Sequence, residues 1–345
     1  MAKELNELMT SADVVAYWLE KNLNTYTVVD QLFPFKKEIS IELNWVKGAN
    51  NQPIGLRLSA FDAKAIRRDR QGINKYATEM PFFKESIVLD EKTRQQLNIV
   101  RQTNNQAVID AIMENIFNDS IKLITAAKET TERMGMQALT TGTVTLSSNG
   151  QSYNYDYGMP QGNKITVDTS WSNAAATIIK DINDAKKLAR KNGYKLTRAM
   201  CNSNLLETLT GNTAIAKKIY VMANGDVEIT SENVKSYIEN ETKLTIFVND
   251  EGYIDEATGN FVNYIADDVF VMMPDGPLGN MHYGVTPEES DLMAGSEADV
   301  ALVENAIAVT TSKTVDPVQI ETKVSMVALP SFEKADGVFL IDTTH

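Results

Sequence analysis

The sequence predicts an α+β fold, and three stretches carry that prediction. Residues 104–138 hold Ile109, Ile112, Met113, Ile116, Ile124, Ala127 and Met134 mostly at three- and four-residue spacing, with no proline or glycine before Gly135. That is the pattern of one long helix, about 45 to 50 Å at 1.5 Å per residue. In the second stretch Val318, Ile320, Thr322, Val324, Met326 and Ala328 alternate with Gln319, Glu321, Lys323 and Ser325, as a half-buried strand requires. The third, residues 172–274, mixes helical and strand segments in the manner of an independent α/β lobe.

The remaining elements follow in chain order. Ser11 can cap a short helix over Ala12–Glu20, whose Val14, Val15, Trp18 and Leu19 form an apolar stripe. Leu32-Phe33-Pro34-Phe35 cannot continue a helix through its proline and reads as an extended arm. Strands are expected over Glu38–Trp45 and Glu85–Leu89. The intervening residues 46–84 combine Gly48, Asn50, Asn51, Pro53 and Gly55 with a basic stretch holding Lys64, Arg67, Arg68, Arg70 and Lys75, and read as a protruding loop. The long helix has one alternative, two shorter helices with a bend near Asn118-Asp119-Ser120. After it, Asn149-Gly150 centres a hairpin that sets Leu146 opposite Tyr153 and Val144 opposite Tyr155.

Within the lobe a helix over Asn173–Lys191 is stopped by Gly193 and followed by a strand over Lys195–Cys201. Short helices are expected over Ser203–Leu209, Thr213–Met222 and Ser231–Glu239. Strands over Leu244–Val248 and Asp268–Met273 enclose a hairpin-like excursion at Glu256–Asn260. Pro330 ends the long late strand, and Gly337–Ile341 adds a last short one.

Composition narrows the function. With 43% hydrophobic and 23% charged residues the chain is an ordinary globular protein, and no apolar run reaches the ~18 residues of a membrane span. Met-Ala-Lys-Glu-Leu-Asn-Glu-Leu lacks the apolar core of a secretory signal, so a cytoplasmic origin is expected. Cys201 is the single cysteine and reads as a small buried side chain; His282 and His345 are the only histidines, little material for a hydrolytic triad or a zinc site. No phosphate loop, HExxH, CxxC or GxSxG pattern occurs. Asn249, Asp250, Glu251, Asp255 and Glu256 lack the spacing of a calcium loop and read as a solvated hairpin tip. Asp267 and Asp268, adjacent on a strand, face opposite sides and do not form an acid pair. No catalytic residue, metal or cofactor is therefore expected. Of the net charge of −13, residues 221–345 contribute 23 acidic and 5 basic side chains, leaving residues 1–220 basic by five. Such asymmetry suits acidic and basic faces meeting between subunits, and the overall balance argues against tight DNA contact.

Leu32-Phe33-Pro34-Phe35, Met272-Met273-Pro274-Asp275-Gly276, Met281-His282-Tyr283-Gly284 and the closing Val324–Asp342 segment, in this order and spacing, resemble the major capsid proteins of tailed phages. The closest resemblance is to the protein E family that includes the lambda head protein. It implies a Hong Kong 97-type fold with an N-terminal arm (1–37), an extended loop with flanking strands (38–90), a peripheral domain with spine helix and hairpin (91–171), an α/β axial domain (172–284) and return strands of the peripheral domain (285–345). It also implies hexamers and pentamers closing an icosahedral head that encloses DNA without sequence-specific binding, assembled in the host cytoplasm. Partners would be copies of the chain, a portal protein and, because no charge-rich helical extension precedes residue 11, a separate scaffolding protein, with room for a decoration protein. Intersubunit contacts are expected at Lys64, Arg67, Arg68 and Arg70 in the loop and at Trp18, Leu19, Phe33 and Phe35 in the arm. An encapsulin-type shell protein shares this fold and is the nearest alternative; an α/β enzyme or ligand-binding protein is the remote one.

Overall fold

The computed structural model describes residues 10–21, 27–47, 74–102, 106–148, 150–223, 229–255, 258–292, 298–314 and 316–344. The chain divides into two compact units, the first formed by 1–44, 77–134 and 280–331 and the second by 45–76, 135–279 and 332–345.

The first unit is organised by a six-stranded sheet. Its strands are β1 (Phe35–Lys37), β4 (Phe82–Leu89), β13 (Met281–Tyr283), β14 (Asp299–Val303), β15 (Ile307–Thr314) and β16 (Gln319–Pro330), in the order β1-β13-β16-β15-β14 with β4 also on β16. The expected period-two pattern holds only for the first half of β16. From Val324 to Pro330 every residue is buried, so there the strand is covered on both faces and not on one. Its amino-terminal half packs Ile320, with Leu89, against Ile112, Met113 and Ile116 of the long helix. Two strands preceding β4, β2 (Glu42–Lys47) and β3 (Asn74–Glu79), form a separate two-stranded ribbon.

Three helices open this unit and a fourth spans both. Thr10, not Ser11, caps α1 (Ser11–Glu20), closing a capping box with Asp13. Just before the Leu32-Phe33-Pro34-Phe35 stretch read as extended lies a helix the sequence reading lacked, α2 (Val28–Leu32), capped by Thr27 and Asp30 and taking in Leu32, after which the chain reaches Pro34 and β1. Sequence periodicity missed α3 (Glu91–Gln102), because its residues are largely polar; the usable signal was Asp90, whose carboxylate accepts the Thr93 N–H at 2.9 Å. The long helix α4 runs unbroken over Gln106–Thr141 and is not divided at Asn118–Ser120. Gly142 ends it at φ +75°, where a side chain would collide with Met159.

The second unit begins with the hairpin β5 (Thr143–Ser148) and β6 (Gln151–Asp156), in the expected register of Val144 with Tyr155 and Leu146 with Tyr153. Its main sheet holds β7 (Lys164–Thr166), β8 (Leu196–Cys201), β9 (Thr245–Val248), β12 (Val269–Pro274) and β17 (Phe339–Asp342) in the order β7-β17-β12-β8-β9. Helices α5 (Ile178–Lys191), α6 (Ser203–Thr210), α7 (Thr213–Ala223) and α8 (Ser231–Thr242) contribute Ile182, Leu205, Ile215 and Val234 to one core with Trp171, Phe270 and Phe339. A small ribbon, β10 (Gly252–Ile254) and β11 (Phe261–Asn263), pairs only with itself among the described residues. Helix α5 starts five residues later than expected, since Asn173 is engaged in turns and its carbonyl accepts from the Asn212 side chain.

Two expected boundaries differ in the structure. Residues 281–283, expected at the end of the α/β domain, form β13 of the first unit's sheet, paired with β1 and β16. Residues 285–345 do not all return to the early strands: β17 enters the lobe sheet between β7 and β12. Phe339, Leu340 and Ile341 are all buried, and a strand buried on both faces belongs in a sheet interior.

Two expectations test this packing. Ile116→Pro removes a backbone donor within α4 and clashes with the preceding turn, at a cost of ~3 kcal/mol or more, so urea denaturation should show loss of the folded state. Glu288, 3% exposed, lies 2.8 Å from Lys323 Nζ and 3.5 Å from Lys84 Nζ and accepts from Ser325 at 2.9 Å. Burial disfavours its anion, but the bonds from Lys323, the backbone and Ser325 prevail and hold the carboxyl down to about 2. The depressed carboxyl contributes stability that is fully present above the unfolded value near 4.5 and is lost as pH falls toward 2. Glu288→Gln should therefore lower stability at pH 7 by on the order of 3 kcal/mol and flatten acid unfolding between pH 4.5 and 2.

Candidate assembly surfaces

The arm is held by its own subunit more firmly than its composition suggests. Ser11 donates from its amide to Asp299 Oδ2 at 2.5 Å and from its hydroxyl to the Asp299 carbonyl at 2.6 Å, pinning the start of α1 to β14. Trp18 is 1% exposed, with Lys128 Nζ 4.8 Å from its ring centroid, and the same ammonium pairs with Glu304 at 2.9 Å. Tyr17 packs on Phe117 and donates to Asn118. Phe33 is fully buried.

These facts correct two of the expected contact residues. Trp18 and Phe33 have no surface left for a neighbour, because the first unit's own core takes them. Leu19 and Phe35 stay exposed, Leu19 on the solvent side of α1 and Phe35 stacked at 5.2 Å on Tyr283. Residues 1–35 looked too poor in apolar surface to fold alone, but the described parts need not: Ser11, Tyr17, Trp18 and Phe35 have partners roughly a hundred to three hundred positions later. Lys64, Arg67, Arg68 and Arg70 lie outside the described residues; β2 and β3 frame the segment that carries them.

The second unit presents a different surface. Its edge strand β9 leaves Phe247 and Val248 exposed, and the β10–β11 ribbon adds Ile254 at 60%, Phe261 at 58% and Val262. Gly252 is required there, since a Cβ would run into the Val262 carbonyl and the Phe261 ring. Sequence reading treated this excursion only as a solvated tip. The apolar ribbon was legible in Phe261-Val262 following Gly259-Asn260.

The acids nearby are spent on structure. Asp250 accepts the Ser203 N–H at the start of α6, Asp255 accepts from Thr258, and Asp267 accepts from Asn202 and Asn204. Cys201 is buried, which pushes its thiol up to about 12. Among the described residues, no group of three His, Cys, Asp or Glu side chains is placed to hold a metal, and no helix is long and apolar enough to cross a membrane.

The two late motif stretches, one in the lobe and one on β13 of the first unit, are likewise structural. Met272 and Met273 are buried in β12, and the Arg198 guanidinium donates to the carbonyls of Pro274, at 2.7 Å, and Gly276, at 2.5 Å. In the second, Met281 and His282 are buried on β13, and a Cβ on Gly284 would meet Met80 and Val327 at 2.9 Å.

A family model described as phage major capsid protein E matches residues 11–341. Among curated protein sequences none matches the chain. A candidate capsid protein of a prophage of E. coli CFT073 superposes with a TM-score of 0.62 at 14% identity, over 97% of this chain and 99% of that one. A phage-related protein from Bordetella bronchiseptica RB50 does so with a TM-score of 0.52 at 12% identity, over 97% of both chains. At such identities the structures speak for the fold, and the family match extends over nearly the whole chain. The chain belongs to the phage major capsid protein E family and is a structural capsid subunit of the Hong Kong 97-type fold.

Proposed function

We propose that the chain assembles with copies of itself into hexamers and pentamers that close the icosahedral head of a tailed phage around its double-stranded DNA. Assembly takes place in the host cytoplasm, with a scaffolding protein and a portal protein as partners, and no step requires catalysis. The α/β lobe of residues 172–279 is the part that meets its copies around the symmetry axes. The observation that carries this reading is the β10–β11 ribbon. Two three-residue strands that, among the described residues, pair only with each other are marginal in water, and this pair exposes Ile254, Phe261 and Val262 a few residues along the chain from the edge strand β9. A capsid subunit has a use for such a surface, because the same element of adjacent copies can cover it.

Replacing Ile254 and Phe261 together by Ser tests the lobe contact. The expected outcome is an unchanged thermal melt of the unassembled subunit with loss of shells in sedimentation and electron microscopy. Apolar groups of this size contribute roughly 1.5 to 3 kcal/mol each when buried, so several subunit contacts weakened at once should abolish closure. Shells at normal yield would remove the proposal. The basic loop and the exposed arm residues Leu19 and Phe35 form the other proposed contacts. Reversing Arg67, Arg68 and Arg70 to Glu should leave the melt unchanged and reduce shell yield, more so at low salt, where interfacial charge counts most.

A further inference from the structure

Where β1, β13 and the end of β16 meet, three side chains stand in line. His282 Nδ1 is 2.9 Å from Glu38 Oε1, and Nε2 is 3.0 Å from Ser331 Oγ. Hydroxyl, imidazole and carboxylate in this order match a hydrolytic triad. The burial does not: Ser331 is 0% and His282 1% exposed, so no substrate reaches the hydroxyl. Ser331 Oγ is also engaged by both backbone groups of Asn280, accepting its N–H at 3.1 Å and lying 3.3 Å from its carbonyl oxygen.

We propose that this cluster is a proton-tolerant latch, which keeps the arm strand β1 seated on β13 whether His282 is neutral or protonated. A neutral imidazole offers one donor and one acceptor. With Nδ1–H donated to Glu38, Nε2 accepts the Ser331 hydroxyl. When a proton arrives on Nε2, the hydroxyl hydrogen swings to the Asn280 carbonyl, and Ser331 Oγ accepts from Nε2–H while keeping the bond from the Asn280 amide. A hydroxyl has one hydrogen and two lone pairs, so each state satisfies every group without moving a heavy atom.

The surrounding charges suit both states. On the β1 side, Lys36 Nζ lies 3.1 Å from the Glu38 oxygen that faces the ring; its hydrogen bond, and then that of His282, hold the Glu38 carboxyl below its usual range. The anion therefore persists and can face a charged ring. On the β16 side the neighbours are Ser331 and, in register with His282, Leu329. Asp30, Glu132 and Glu304 act on Tyr283, whose side chain leaves β13 on the opposite face. The latch closes on backbone as well, since Glu38 N–H donates to the Tyr283 carbonyl at 2.7 Å and Met281 N–H to the Pro34 carbonyl at 3.0 Å.

A buried histidine that had to stay neutral would weaken folding as pH drops through the unfolded value near 6.5, by about tenfold in the equilibrium constant per pH unit below it. Here the folded chain takes the proton too, so that loss is absent. The test is urea unfolding of the unassembled full-length subunit at pH 7.5 and 5.5, for wild type and Ser331→Ala. Because the other titrating groups are common to both, the ratio of their folding constants isolates the cluster. It should move against Ser331→Ala by up to about tenfold at the lower pH, and stay constant in a His282→Gln background. A pH-independent ratio in the wild-type background overturns the proposal. Should Ser331→Ala fail to fold, ring NMR of His282 in the wild-type chain decides, with amide exchange of residues 35–38 followed in parallel. Protonation with unchanged β1 protection is expected; a ring that never protonates while folded, or β1 amides that open when it does, overturns it.

Discussion

The first unit depends on one constraint, that β16 has twelve residues and three partners. It pairs with β15 over Gln319–Ser325, with β4 over Ile320–Val327 and with β13 over Ala328–Pro330. A strand engaged on both edges has little tolerance for a shift of register, because in its alternating first half a one-residue slip would exchange the buried and half-buried sets. Everything that reaches β16 is thereby placed. β4 brings the root of the segment carrying the basic loop, β13 brings the arm strand β1, and β15 with β14 forms the seat of α1. The polar anchors sit where these attachments are made, Glu288 beside Lys323 and Ser325 on β16, and His282 beside Ser331 just past its end.

Anchoring by buried charge and hydroxyl groups carries a risk that apolar packing does not, since any group left unmatched costs more than the bond contributed. The first unit meets that risk with redundancy. Glu288 has two lysines and a serine; Glu38 has a lysine and a histidine; Lys37 pairs with Glu289 at 2.7 Å beside them. For a capsid subunit the consequence is mechanical. Its arm is held by several polar attachments in addition to the burial of Val14, Trp18, Leu32 and Phe33. Exposed apolar side chains include Leu19, Phe35, those of β9 and the β10–β11 ribbon, and also Ile39, Ile41, Ile99 and Val221.

The long helix, the hairpin around Gly150 and most lobe elements could be read from local pattern because helix and strand periods, caps and turn residues act over a few positions. α3 escaped that reading for lack of apolar period, and α2 because Pro34 masked the capped turn before it. The arm was misjudged for a different reason. Counting apolar residues in 1–35 measures what the segment can bury against itself, while Trp18 lies under Lys128, far away in the chain. The serine, histidine and glutamate of the latch were equally beyond reach, at positions 331, 282 and 38, joined only by strand pairing.

Sequence alone thus determined the element types, the α+β class, the absence of reaction motifs and, through four short stretches in fixed order, the resemblance to phage capsid proteins. Tertiary structure decided which apolar residues remain exposed, that β17 closes the lobe sheet, and that His282 serves the arm. The division follows from the range of the interactions. Periodicity and capping are settled between residues a few positions apart, whereas exposure, strand partnership and polar networks depend on which distant segments the sheet brings together.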